Sequence, residues 1–304
     1  MKISTLVMPF FICSMFVVSF AGCKKLSNSD SKPPGNTVTV RTNPDTAKLV
    51  TNYDFNDTTL TNHGWAKTFE DNFDGDLSKW SMPQGGVQYE LETNEPANIA
   101  VTNSALQITA RKETKTGPVV VDSSGTKTFN YTSGWLISRT TISASAATPR
   151  VRVVARVKTA AGYGIGSILC TFGNNWPTNG EIVCLQTYDQ VPKRYSTDYS
   201  YGVKQSVDDV KDSFQFNPTN ADLSAAYHVY TMEWTQNSLT FYIDGNLVET
   251  KTAGNAVPDL FNKAHYISLR VPVGGKNFDA STTPSIQNGT MYVDYVKVFT
   301  TKVL

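Results

Sequence analysis

A single acid stands in the stretch Trp176-Pro177-Thr178-Asn179-Gly180-Glu181-Ile182-Val183-Cys184-Leu185-Gln186. Glu181 opens an apolar run, and strand alternation would turn Glu181 and Val183 to one face and Ile182 and Cys184 to the other. A carboxylate so placed serves as a nucleophile or as an acceptor for ligand hydroxyls. Gln186 has the size and hydrogen-bonding capacity of a glutamate, but its amide neither gives nor takes a proton. General acid/base assistance, worth about 10²–10⁴-fold, is therefore not available from it. Trp135, Tyr163, Trp176 and Tyr188 either offer flat rings to a ligand or fill a core. Cys170 and Cys184 lie on runs that read as neighbouring strands, which leaves open a disulfide or two buried free thiols.

The elements that must position these residues are strands. Val151 to Lys158 puts Arg152, Arg156 and Lys158 on one face and Val151, Val153, Ala155 and Val157 on the other, as in a half-solvated antiparallel strand. Ile99 to Lys112 reads as a hairpin about an Asn-Ser turn. Tyr230 to Trp234, Ser238 to Ile243 and Leu247 to Thr250 form a series with Asp244-Gly245 as a tight turn. Ile165 to Phe172, Glu181 to Tyr188, His265 to Val273 and Met291 to Phe299 are further strands. Ser206 to Phe214 and Val257 to Asn262 suit single helical turns. Many short strands without strand-helix alternation predict an all-β fold, an antiparallel β-sandwich of two stacked sheets.

Composition narrows the function classes. Among 304 residues, 17% are charged, below the roughly 25% of an average globular protein. A net charge of +1 without a basic cluster outside the N-terminus argues against nucleic acid as a partner. Four cysteines are too few for a disulfide scaffold. Met1-Lys2, the apolar run Leu6 to Phe20 and the small residues Ala21-Gly22 read as a signal peptide over 1–22. Phe20-Ala21-Gly22-Cys23 resembles a bacterial lipobox, making Cys23 the expected lipidation site and the membrane a partner through that anchor. The Pro/Gly/Ser-rich stretch after it reads as a tether. Residues 23–60 are thus tether and N-terminal extension, and 61–304 the main domain.

The segments "FEDNFDG…LSKW", "NIAVTNSALQITARKE", Tyr131-Thr132-Ser133-Gly134, "WPTNGEI", "YHVYTMEWTQNSLTFYIDG", "VPVGG" at Val271 to Gly275 and "MYVDYVKVF" resemble, in this order, glycoside hydrolase family 16. The resemblance spans Trp65 to Phe299 and implies a concanavalin A-like β-jelly roll with a cleft across one sheet. A retaining glycosidase flanks the scissile bond with two carboxyl groups about 5–5.5 Å apart. The family carries its acids on one strand as Glu-x-Asp-x-x-Glu, with a one-residue bulge returning the last to the face of the first two. In this sequence the nucleophile position is Glu181, the middle-acid position is Val183, and the acid/base position is Gln186.

The family's aromatic cleft strand corresponds to Gly166-Ser167-Ile168-Leu169-Cys170, without its tryptophans. The asparagine before the glycine pair corresponds to Arg270, which would be expected to pair with Glu181, since a lone buried carboxylate is costly. Substrate contacts are expected from Trp176, Trp135, Tyr188 and Arg270. His228 and Trp234 fit framework positions. Glu70 and Asp294 match segments near which some members bind calcium, so a structural calcium is compatible with the chain, although no cofactor is required.

The resemblance leads first to a cell-envelope lipoprotein, on the periplasmic face or the cell surface, that recognises a polysaccharide or oligosaccharide of the β-glucan or galactan type. Its hydrolysis is impaired or absent, and other glycan-uptake proteins are its natural partners. A second reading is an active retaining endo-hydrolase with a proton donor from Asp189, Asp198 or Asp279. A third is a structural or partner-binding envelope protein.

Overall fold

The computed structural model describes residues 39–40, 46–87, 90–121, 125–188, 190–203, 210–212, 215–252, 257–274 and 286–302. In chain order these form β1 (Thr39–Val40), the short helix α1 (Asp57–Thr61), β2 (Ala66–Asp71), β3 (Trp80–Ser81), β4 (Gly85–Val87), β5 (Glu92–Asn94), β6 (Ile99–Val101) and β7 (Leu106–Ala110). Next come β8 (Lys115–Val121), β9 (Gly125–Phe129), β10 (Tyr131–Ser133), β11 (Trp135–Ile142), β12 (Arg150–Lys158), β13 (Gly166–Gly173) and β14 (Glu181–Tyr188). The remainder are β15 (Arg194–Gly202), β16 (Val210–Asp212), β17 (Gln215–Pro218), β18 (His228–Thr235), β19 (Ser238–Ile243), β20 (Asn246–Thr252), β21 (His265–Arg270) and β22 (Gly289–Thr300). The signal segment and Cys23 lie outside the described residues.

Two large sheets hold the core between them. The first runs β1-β20-β19-β18-β12-β22-β7-β6 with β2 also on β22, and the second runs β16-β15-β14-β13-β21-β11-β3 with β17 on β15. Val151, Val153, Ala155 and Val157 from the first sheet meet Leu169, Ile182, Leu185, Ile267 and Leu269 from the second in one buried cluster. The expected sandwich is present, and both turns that set hairpin registers follow from their residues. Asn103 and Ser104 both have positive φ, as do Asp244 and Gly245. Positive φ at both central positions suits a two-residue hairpin to the twist of its strands.

Three expectations are corrected. Strand alternation made the outward face of β12 half-solvated, but Val154 also points outward. There it joins Leu60, Trp65, Val229, Tyr295 and Phe299 in a buried cluster with Tyr53 and Phe55 alongside. The segment before β2 thus covers this face. It is held by Asp54, which accepts from the Tyr295 hydroxyl at 2.8 Å, and by Asn56, whose side chain caps α1. Secondly, Val210–Asp212, within the stretch expected to make a helical turn, is an edge strand on β15. Thirdly, a small sheet, β10-β5-β4-β8-β9, stands beside the two large ones and contains parallel pairings of β10 with β5 and of β4 with β8. β4, β5 and β10 have three residues each, too short to show a period in the sequence, and Gly117-Pro118 interrupts the period of β8. Val257 to Asn262 does hold a single 3₁₀ turn, at Pro258–Leu260.

A buried ion pair ties the sheets together. Lys251 and Glu249, both with fully buried side chains, meet at 2.9 Å on β20. Across the core, Thr197 of β15 donates to the other Glu249 oxygen at 2.6 Å, and Asn217 of β17 donates to Thr197 at 3.0 Å. Removing one partner strands a charge in a low-dielectric interior. In chemical denaturation, Lys251→Met is expected to cost about 3–5 kcal/mol, and Lys251→Met with Glu249→Leu distinctly less.

Candidate active site

β14 carries the three positions that the family resemblance matches to its acids, Glu181, Val183 and Gln186. Its pairing with β13 runs Phe172↔Glu181, Thr171↔Ile182 and Cys170↔Val183, then shifts so that Leu169↔Leu185 and Ile168↔Gln186. Cys184 has no partner opposite it, which is a one-residue bulge. Ile182, Cys184 and Leu185 enter the core between the sheets. Val183 joins Trp135, Ile168, Cys170 and Phe172 in a separate cluster on the other face. That outer face of the second sheet is the cleft face, and the bulge brings Gln186 back to it beside Glu181 and Val183. Glu181 is 2% exposed and Gln186 8%.

The loop before β14 closes over Glu181. Asn175 has positive φ, and the Trp176–Pro177 peptide is cis. The backbone of Gly180 donates to Pro177 and the backbone of Thr178 to Asn175. Gly180 has φ +76°, and a Cβ there would lie 2.2 Å from Leu260. The Trp176 indole N–H donates to a Glu181 carboxylate oxygen at 3.2 Å, with Trp176 itself buried. Gln186 donates from its amide to the Tyr188 hydroxyl. The structure thus gathers Glu181, Val183, Gln186, Trp176 and Tyr188 at one site.

Trp135 is on the same face but buried, and its indole N–H donates to Ser268 at 2.8 Å. It packs against the Phe172 ring and is overlain by the Arg270 guanidinium. Tyr163 is half-buried in the turn before β13, where its backbone N–H donates to Gln287.

Arg270 does not pair with Glu181. It faces the cleft, but in the row of Gln186 and Ile168, whereas Glu181 shares a row with Phe172 and Tyr266. Its guanidinium instead bonds Glu90 at 2.7 Å, just before β5, and Glu92 at 3.2 Å, on β5 of the small sheet. Burial first, and the neighbouring Glu90 second, push the Glu92 carboxyl up, with Arg270 opposing. Glu92 is fully buried and Glu90 half-buried, so Arg270 and these two acids, distant in sequence, offset one another's desolvation.

Glu70 and Asp294 are on the first sheet and each meets a base: Glu70 pairs with Lys67 and Lys297, and Asp294 with Arg156. No group of three or more metal-ligating side chains occurs among the described residues. His228 bonds Asp244 at 2.8 Å, and Trp234 is fully buried in the core, both on the first sheet away from the cleft. Cys170 faces the cleft and Cys184 the core. Both are buried and form no disulfide with each other, and burial followed by Cys170 pushes the Cys184 thiol up. Asp198 lies on β15 directly opposite Val183, whereas Asp189 and Asp279 fall outside the described residues.

The family model for glycosyl hydrolases family 16 matches residues 87–297. The chain belongs to glycoside hydrolase family 16. It is 26% identical over 266 residues to the glucan endo-1,3-beta-glucosidase A1 of Niallia circulans, covering 83% of this chain and 37% of that protein. It is 24% identical over 252 residues to the keratan-sulfate endo-1,4-beta-galactosidase of Sphingobacterium multivorum, covering 77% of this chain and 54% of that protein. The chain thus spans between about a third and a half of the length of these relatives. The endo-beta-1,3-glucanase structure from Pyrococcus furiosus superposes with a TM-score of 0.63 at 26% identity, over 79% of this chain and 96% of that one. The laminarinase catalytic domain of Thermotoga maritima, at 24% identity and TM-score 0.63 over 79% and 99%, shares the fold.

One positioning residue, His265, carried no motif. It lies on the core side of β21, where its Nε2–H donates to the Asn179 carbonyl at 2.7 Å and its Nδ1 accepts from the Thr171 hydroxyl at 3.0 Å. The carbonyl can only accept, which fixes this tautomer. His265 therefore anchors the loop that delivers Trp176 to Glu181. Burial lowers its pKa from 6.5 to about 4. The unfolded chain takes up a proton that the folded imidazole refuses, so the stabilising contribution is complete above pH 6.5. It is lost as pH falls from 6.5 toward about 4, on the order of 3 kcal/mol over the window. Urea denaturation across this range is expected to show that slope in the natural chain and to lose it in His265→Gln.

Proposed function

We propose that this protein is a lipid-anchored component of a bacterial cell envelope whose family 16 domain recognises a β-linked polysaccharide, of the glucan or galactan type, with hydrolysis impaired or absent. Gln186 carries the reading. The bulge aims its side chain into the cleft where a proton-transferring acid belongs, and an amide cannot perform that transfer. Glu181 remains on the same face as an acceptor for sugar hydroxyls, its carboxylate held by the indole N–H of the buried Trp176. Relatives named for endo-action on 1,3-β-glucan and on keratan sulfate support a β-linked glycan as the ligand class. The lipobox-like Phe20 to Cys23 supports the anchor, which would hold the domain where long polysaccharides arrive ahead of other glycan-uptake proteins.

Reducing-end release from laminarin, mixed-linkage glucan and agarose is expected to stay near background for the natural chain. Gln186→Glu is expected to raise it by about 10²-fold on the preferred glycan, while the natural chain is retarded in affinity gels containing that glycan. Release by the natural chain equal to that of the Gln186→Glu variant would overturn the reading. In cell fractionation, Cys23→Ser is expected to move the protein from the membrane to the soluble fraction.

A further inference from the structure

The cleft rows of β14 and β15 lie side by side. Glu181 stands opposite Ser200, Val183 opposite Asp198, and Gln186 opposite Ser196. On β15, Tyr195 and Tyr199 belong to the core, and Thr197 bonds inward to Glu249. Alternation therefore sends Ser196, Asp198 and Ser200 to the cleft face. All three are buried, Asp198 being 9% exposed.

Directly opposite residues on adjacent strands have Cβ atoms about 4.5–5.5 Å apart, and diagonal ones lie within about 7–8 Å. Asp198 is thus the direct neighbour of Val183 and the diagonal neighbour of Glu181. Ser196 and Ser200, which flank it on the same face, are too small to stand between the two acids. From these positions the two side chains can bring their carboxyl groups within the roughly 4–6 Å at which neighbouring charges shift each other's ionisation.

We propose that Asp198 is the carboxylate partner of Glu181 in this cleft, the charge missing at Val183 being carried one strand over. The inference rests on the cleft being a glycan site. The pair Val183 and Asp198 puts one acid and one apolar residue in the same cross-strand row. Carboxylates at such range influence each other's ionisation, so Asp198 tunes and orients Glu181. With Gln186 in place the couple receives sugar hydroxyls, and with an acid restored there it supports bond cleavage.

Two measurements on the full chain test this. Without glycan, thermal unfolding is compared for the natural chain, Glu181→Gln, Asp198→Asn and the double variant. Coupled acids are expected to make the double variant depart from additivity by about 2 °C or more, and additive shifts would overturn the pairing.

With laminarin, Asp198→Asn added to Gln186→Glu is expected to lower kcat/KM at least about tenfold. Adding Val183→Asp to that variant is expected to restore it to within about threefold. An aspartate that merely held β15 in place would not be replaced by an acid on β14. Equal turnover with and without Asp198, or no recovery with Val183→Asp, would refute the proposal. If Gln186→Glu leaves laminarin, mixed-linkage glucan and agarose all uncut, the reading of the cleft as a site for these glycans is what fails, and the thermal cycle alone decides for or against the pair.

Discussion

The outer face of the second sheet depends on one extra residue in β14. A regular strand beginning at Glu181 would turn Gln186 into the core and Leu185 out to the cleft, because side chains alternate with period two. The bulge at Cys184 absorbs one residue and resets the alternation, so that Leu185 packs with Leu169 and Leu269 while Gln186 returns to the cleft face. A core that must be filled and a row of polar side chains that must face outward are both satisfied by the same strand. The loop before the bulge and the serine-bordered Asp198 after it acquire their meaning from that register.

Several charges are then held out of water, and each is given a partner. Glu181 receives the Trp176 indole, Arg270 is clamped between Glu90 and Glu92, and Lys251 meets Glu249 deep between the sheets. Desolvation of an ion costs several kcal/mol even after relaxation, and only good geometry offsets it. Such pairs contribute less to net stability than to selecting one arrangement of strands, since a register slip would leave each charge unmatched. The neutral, buried His265 works in a similar way, fixing the Asn179 carbonyl and through it the entry to β14.

Membership of family 16 rests on the framework, and the framework is where this chain is most regular. The hairpins with paired positive-φ residues, the valine row of β12 and the long closing strand β22 all serve the sandwich. The cleft face carries Ile168 and Cys170 from β13, Val183 and Gln186 from β14, and Arg270 paired with Glu90 and with Glu92 of the small sheet. A fold tolerates variation there because the face away from the core makes few of the contacts that hold the two sheets together.

Local rules sufficed for the strands named from their periodicity and for both tight turns, since each depends on residues a few positions apart, whereas the bulge between Val183 and Gln186 was implied by the family resemblance and β11 and β15 were not foreseen. The type of chemistry to look for was also legible at Glu181 and Gln186. Other features were decided only by tertiary structure. Arg270 was expected to meet Glu181, yet its partners lie 180 and 178 residues away, and only the packing of the small sheet beside β21 brings them near. The cover over β12 was hinted at by outward-facing Val154, but its source, the segment from Tyr53 to Trp65, became visible only in the fold. Asp198 could be named as an acid from sequence, whereas its place opposite Val183 follows from the pairing of β15 with β14. Composition and period determine which faces of the strands are apolar. Which residues meet across those faces depends on strand order and register, and these are settled by the whole chain folding at once.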